Sequence, residues 1–150
     1  MKKFIAVFLL SFSSVSYAHS HEHKKVSYTQ KYEYTITRVV DGDTVEFEAK
    51  FLPAPLKPTL RLRVYGVDTP EKAPRALCES EAKMGAQATE LTKKLVSSST
   101  KKEIIIREWD KFGGRVLGDL VLDGVSLRDS LIKAGLAREY YGDKKESWCK

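Results

Sequence analysis

The side chains in this sequence suited to chemistry are carboxylates at the ends of β-like segments and arginines near tight turns. Asp43 closes Asp41-Gly42-Asp43, where one β-branched run turns into the next, and Asp68 stands where a third run stops. Acids at strand ends can converge on one mouth of a barrel, and two or three oxygens from such turns suit a hard cation such as Ca²⁺. The spacing is not that of an EF-hand, which needs a longer ligand ladder with glycine at its sixth position. Arg63 lies five residues before Asp68, so the two point to opposite faces of a regular strand. A bend at Gly66 would bring them together. Arg115 leaves another tight turn, Asp110-Lys-Phe-Gly-Gly114. Each residue also has an ordinary reading: Asp-Gly-Asp is a hairpin turn, Asp-Thr-Pro opens turns, and a strand arginine is a surface charge.

Missing residues narrow the chemistry further. All three histidines, His19, His21 and His23, fall near the N-terminus, and none occurs from Lys24 to Lys150. Ser-His-Asp and Cys-His catalysis, histidine bases and multi-histidine zinc sites are thereby excluded from the folded part. Carboxylates, Arg, Lys, Tyr and an oxygen-bound metal remain.

The elements that must position these groups follow from periodicity. Tyr34 to Val40 is β-branched, Thr44 to Lys50 alternates, and Leu60 to Val67 alternates again, so three strands are expected. Pro53, Pro55 and Pro58 make 51–59 an exposed connection. An irregular basic loop, Lys72 to Leu77, precedes a helix from about Ser80, with Met84, Ala88, Leu91 and Leu95 expected on its core face. Lys102 to Glu108 and Arg115 to Leu122 read as strands four and five. Asp123-Gly124 turns the chain into a short helix from about Val125, with Leu127, Leu131 and Ala134 facing the core and Gly135 as the left-handed stop. The predicted fold is a β-rich α+β domain, a five-stranded OB-fold barrel with two main helices.

The beginning of the chain reads differently. Lys2 and Lys3, the apolar run Phe4 to Leu10 and the small-x-small site Ser16-Tyr17-Ala18 have the layout of a secretory signal peptide over residues 1–18, with an apolar run too short for an anchor. Residues 19–32 form a polar, His-rich tail, and 33–150 the folded domain, with no membrane segment in the mature form. The formal charge falls from +6 to +4 because the removed segment carries Lys2 and Lys3 and no acid. A composition of 42% apolar and 31% charged residues is that of a globular protein. Cleavage after Ala18 would leave an HSHEH tail able to bind Cu²⁺ or Zn²⁺, or simply to be solvated. In an exported chain the two cysteines, Cys78 and Cys149, are expected to form one disulfide, contributing roughly 4 kcal/mol by loop entropy.

Five motifs in order carry a family resemblance: DGDT at 41–44, RLRVYGVDTPE at 61–71, TKKLV at 92–96, DKFGGR at 110–115 and GLA at 135–137. Together they resemble the staphylococcal nuclease (thermonuclease) family over about residues 34–141. The resemblance implies an OB barrel with helices and a Ca²⁺-dependent endonuclease acting on DNA and RNA, in which water expels the 5′-oxygen and leaves 3′-phosphate ends. It assigns Asp43 and Asp68 as Ca²⁺ carboxylates, with the Thr69 carbonyl completing the protein ligands. Glu71 becomes the carboxylate that orients or deprotonates water, and Arg63 and Arg115 the pair that grips the phosphate. Lys111 remains as a phosphate contact and Tyr141 as a wall of the nucleotide pocket. This division is physically consistent. A phosphodiester repels hydroxide until fixed positive charge neutralises it, and guanidinium forks bind two oxygens and never deprotonate.

Departures qualify the match. DKFGGR stands where the family usually has DKYGR, so Phe112 lacks a hydroxyl and the added glycine shifts Arg115. The chain ends soon after Tyr141, leaving no room for a long C-terminal helix, and the disulfide is expected to clamp that end instead. The expected product is an exported, monomeric enzyme, periplasmic or secreted. Two other readings are a non-catalytic OB-fold nucleic-acid-binding module, which would not require Arg63, Glu71 and Arg115 together, and a metal-binding protein using the His tail, which leaves the barrel acids unexplained.

Overall fold

A computed structural model describes residues 31–149 except Ala54 and Lys57, so the signal-like segment and the His19–His23 cluster lie outside the described residues. The chain runs β1 (Tyr32–Glu33), β2 (Ile36–Val39), β3 (Thr44–Glu48), β4 (Thr59–Val64), β5 (Val67–Asp68), α1 (Glu79–Ser98), β6 (Lys102–Trp109), β7 (Arg115–Leu122), β8 (Val125–Ser126), α2 (Leu127–Lys133) and β9 (Arg138–Glu139). The main sheet has the order β1-β6-β7-β4-β3-β2, with β8 on β7, while β5 and β9 pair separately. Only β4 and β7 run parallel among these pairs. The result is a curled, mixed half-barrel with two helices, OB-like in character.

Alternation decides which face is inside. Val45 and Phe47 of β3, Leu62 and Val64 of β4, Val116 and Leu120 of β7 and Ile104 of β6 are fully or almost fully buried, joined by Leu127 and Leu131 of α2. Truncating Phe47 to alanine in such a packed interior costs about 3–5 kcal/mol. The opposite face carries Arg61, Arg63, Arg115 and Leu117, because Arg61 pairs with Arg115 and Arg63 with Leu117 in the parallel register. Arg63 and Arg115 therefore share one face, two residues apart in register, about 7 Å along the strands.

Several expectations need correction. Each of the five expected strand segments contains a strand, but four two-residue strands are added, and the third segment breaks before Val67. Gly66 adopts φ +79°, a left-handed turn that ends β4 and starts β5. The expected start of α2 at Val125 is instead β8, formed because Asp123 (φ 47°) and Gly124 (φ 85°) fold the chain back onto β7. Ala134 is exposed, whereas Ala137 is buried. Gly135 (φ 69°) closes a Schellman motif, its N–H on Ile132 O and that of Leu136 on Leu131 O, so the chain re-enters the core after the turn.

The buried stripe of α1 is also shifted, from Met84, Ala88, Leu91 and Leu95 to Glu81, Gly85, Ala88, Thr89, Thr92 and Val96. Leu91 and Leu95 remain half-buried against the core. Three polar residues occupy that stripe because each finds a partner there. Thr89 Oγ1 donates to Gly85 O (2.8 Å) and Thr92 Oγ1 to Gly42 O (2.6 Å). Glu81 accepts from the Leu77 amide at 2.7 Å and the Glu71 amide at 3.3 Å.

A carboxylate and arginine cluster beside the helix

Two turns bearing acids are fastened to α1. The Asp41–Asp43 turn is fixed by Thr92 on Gly42 O and by Lys72 Nζ on Val40 O at 2.6 Å. The Asp68–Glu71 loop approaches so closely that a Cβ at Gly85 would lie 2.7 Å from the Lys72 amide nitrogen and fall on the Glu71 carbonyl. A bare backbone at 85 is what lets the loop sit there.

Four expected residues meet as a result. Asp43 is only 1% exposed. Its Oδ1 is paired with Arg63 Nη1 and accepts from Thr44 Oγ1, while its Oδ2 accepts from the Thr69 amide (3.2 Å) and hydroxyl (2.9 Å). Arg63 Nη2 reaches Val67 O at 3.3 Å and lies 3.7 Å from Asp68 Oδ1. The turn at Gly66 thus brings together two residues that a regular strand would have separated. Burial pushes the Asp43 carboxyl up from its ordinary value, Arg63 pulls it down, and nearby Asp41 raises it again. Burial also works against the Arg63 charge, yet Asp43, Asp68 and Asp41 outweigh it and hold the guanidinium above its ordinary value.

Glu71 is linked to this cluster indirectly. Arg75 Nε binds Glu71 Oε2 at 2.9 Å and Arg75 Nη2 binds Asp41 Oδ2 at 3.1 Å. Asp41 and Arg75 were not expected at the site, and their bridge across 34 residues leaves no trace in local spacing.

The donor set fits a hard cation. Asp41 Oδ1 is a buried carboxylate oxygen that receives no hydrogen bond, which is costly without a compensating positive charge; Asp68 Oδ1 is already met by cations, Lys145 Nζ at 2.5 Å and Arg63 Nη2 at 3.7 Å. Every candidate ligand atom is oxygen, the preference of Ca²⁺ or Mg²⁺. Among the described residues, the group of three Asp, Glu, His or Cys side chains with ligand atoms within 4.8 Å of one another is Cys78, Glu81 and Cys149, not the acids at 41, 43 and 68. Its two sulfurs form the expected disulfide, with Cα atoms 6.0 Å apart.

The remaining expected residues form a second, outer group. Arg115 Nε is held by Asp110 at 2.5 Å, and its guanidinium lies 4.6 Å over the Phe112 ring. Lys111 Nζ stands 5.4 Å from the same ring. Phe112 is 55% exposed, so this turn presents two cations and an aromatic face to solvent. Tyr141, also exposed, meets Tyr65 edge-on at 5.7 Å between centroids, and Arg107 covers Tyr65 at 4.6 Å. Arg115 touches none of the inner carboxylates; it shares their side of the sheet. Two residues that local reading missed, Lys145 and Trp148, contact Asp68 directly. Cys149 was the available signal, since a disulfide to Cys78 must carry its neighbours into this region.

Residues 61–148 match the family model described as staphylococcal nuclease homologue. Endonuclease YncB of Bacillus subtilis (strain 168) is 33% identical over 126 residues, covering 82% of this chain and 53% of that protein. Endonuclease YhcR of the same organism is 30% identical over 116 residues, 74% of this chain and 9% of that protein. The chain thus spans about half the length of the first relative and a small part of the second.

Proposed function

The chain belongs to the staphylococcal nuclease homologue family, and on that premise we propose that it is an exported, monomeric, Ca²⁺-dependent endonuclease that hydrolyses DNA and RNA to 3′-phosphate ends. The observation that carries this reading is the buried Asp43–Arg63–Asp68–Thr69 cluster, an all-oxygen set of candidate ligands beside the unpartnered Asp41 Oδ1. The endonuclease names of the two Bacillus relatives support it. Export is supported by the Lys2–Ala18 segment and the Cys78–Cys149 disulfide, which suits a periplasm or the exterior.

Asp43, Asp68 and the Thr69 carbonyl would hold the cation. When bound, Ca²⁺ supplies positive charge to the phosphate and favours loss of a proton from the attacking water. Glu71 takes that proton on Oε1, because Arg75 engages Oε2. The water oxygen forms a bond to phosphorus as the bond to O5′ breaks, and the departing oxygen is protonated from solvent. Arg63 and Arg115 bind the non-bridging oxygens, where negative charge accumulates. Their common side of the sheet allows both to reach one phosphate once Arg115 swings off Asp110. Phe112, Lys111, Tyr65 and Tyr141 offer stacking and charge to neighbouring nucleotides.

Cleavage of labelled single-stranded DNA in Ca²⁺ and in EDTA tests the reading, with wild type beside Glu71→Gln and Arg115→Lys. Wild type should cut only with Ca²⁺. Glu71→Gln should be slower by about 10²–10⁴, and Arg115→Lys by about 10²–10³, as the bidentate fork is lost. Binding of DNA without any Ca²⁺-dependent cleavage would mean a nucleic-acid-binding module instead.

A further inference from the structure

Both oxygens of Asp68 are met by the segment 143–149, which forms neither strand nor helix. Trp148 is buried, and its Nε1 donates to Asp68 Oδ2 at 3.1 Å. The Arg138 guanidinium lies 3.8 Å over the Trp148 ring and donates to Ser147 O at 3.0 Å. Cys149 then ties the segment to Cys78, three residues before the Glu81 that holds the Glu71 amide. Within this clamp Lys145 Nζ lies 2.5 Å from Asp68 Oδ1. The ammonium therefore supplies that buried oxygen with its compensating charge.

An exposed lysine pair would ordinarily mean little. Here the carboxylate side of the pair is 8% exposed while the lysine is 49% exposed. Because Trp148 occupies Oδ2, Oδ1 is the oxygen of Asp68 left for a cation. An ammonium and a divalent ion cannot share it without strong repulsion at such distances. The half-exposed, flexible lysine stem permits departure, whereas Trp148 and the disulfide keep the amine close after it leaves.

We propose that Lys145 is the resident counter-ion of the cation site: it neutralises Asp68 Oδ1 in the metal-free protein, is displaced on cation binding, and so sets the apparent cation affinity. The proposal rests on the reading of Asp43 and Asp68 as cation ligands. It also gives the C-terminal clamp a part in the site beyond stability, as the element that delivers the competing charge and, through Trp148, orients Asp68.

Calorimetric titration of CaCl₂ into the full chain tests this without any activity assay, using wild type, Lys145→Met, Lys145→Gln and Lys145→Arg, each checked for cooperative thermal unfolding. The Met and Gln variants should bind Ca²⁺ about five- to tenfold more tightly than wild type, and Lys145→Arg should bind like wild type. Two neutral variants guard against one of them misfolding. Equal or weaker affinity in the folded neutral variants overturns the role of Lys145 while leaving the cation site standing. No Ca²⁺ binding in wild type or any variant overturns the cation site itself, and this proposal with it.

Discussion

Asp43 and Asp123 both belong to Asp–Gly turns between two strands, yet their surroundings are opposite. Asp43 is buried under α1, and burial pushes its carboxyl up. Asp123 is exposed, adopts φ 47°, and accepts from the amides of Lys101 (2.7 Å) and Thr100 (3.2 Å), so those backbone donors, Lys101 first, hold its carboxyl down. One turn is a structural device whose exposed acid is satisfied by two backbone amides of the facing chain. The other is buried and supplied with an arginine, a helix hydroxyl and a second acid. The same local signature therefore marks a turn, and what packs over it decides whether that turn is a site.

The largest effect should come from removing the charged partner of the buried acid. Arg63→Ala leaves Asp43 charged and buried, and should destabilise the fold by about 3–5 kcal/mol in denaturant unfolding. Asp123→Ala, which removes an exposed acceptor, should shift the midpoint less and leave cleavage unchanged. Similar losses at both positions would erase the contrast. Next in size, Thr92→Val removes the donor to Gly42 O while keeping side-chain shape. It should cost about 1–3 kcal/mol and slow cleavage by more than the stability loss explains, because the Asp43 turn is released from α1.

A smaller effect concerns pH. In Ca²⁺-free buffer, carboxyl-detected NMR should find Asp43 titrating above its ordinary value of 3.8 and Asp123 below it. The linked stabilities have opposite signs. The contribution of Asp43 is present below its unfolded value and is lost as pH rises through the higher folded one. That of Asp123 is present above the unfolded value and is lost as pH falls through the lower folded one. Shifts of the same sign for the two acids would refute the distinction between the buried turn and the exposed, amide-bound one.

Local pattern carried much of this. The alternation of Val45 and Phe47 with polar neighbours, the left-handed Gly135 and the Cys78–Cys149 pairing are legible because each rests on one strong local rule. Asp43, Arg63, Asp68 and Thr69 are legible as a set through the ordered motifs. Hydrophobic periodicity misplaced the face of α1, because Glu81, Thr89 and Thr92 are buried through hydrogen bonds that an apolar count does not register. Arg75 bridging Asp41 and Glu71, and Lys145 resting on Asp68, depend on how loops fold over one another, and no spacing encodes that.

On the proposed reading, the acids beside α1 form a cation site whereas the look-alike turn at Asp123 does not. Calorimetric Ca²⁺ titration of wild type, Asp43→Asn and Asp123→Asn tests it most directly. Asp123→Asn should bind as wild type does, and folded Asp43→Asn should lose at least about tenfold in affinity with the loss of a charged ligand. Wild-type affinity in Asp43→Asn, or equal losses in both variants, would contradict the account.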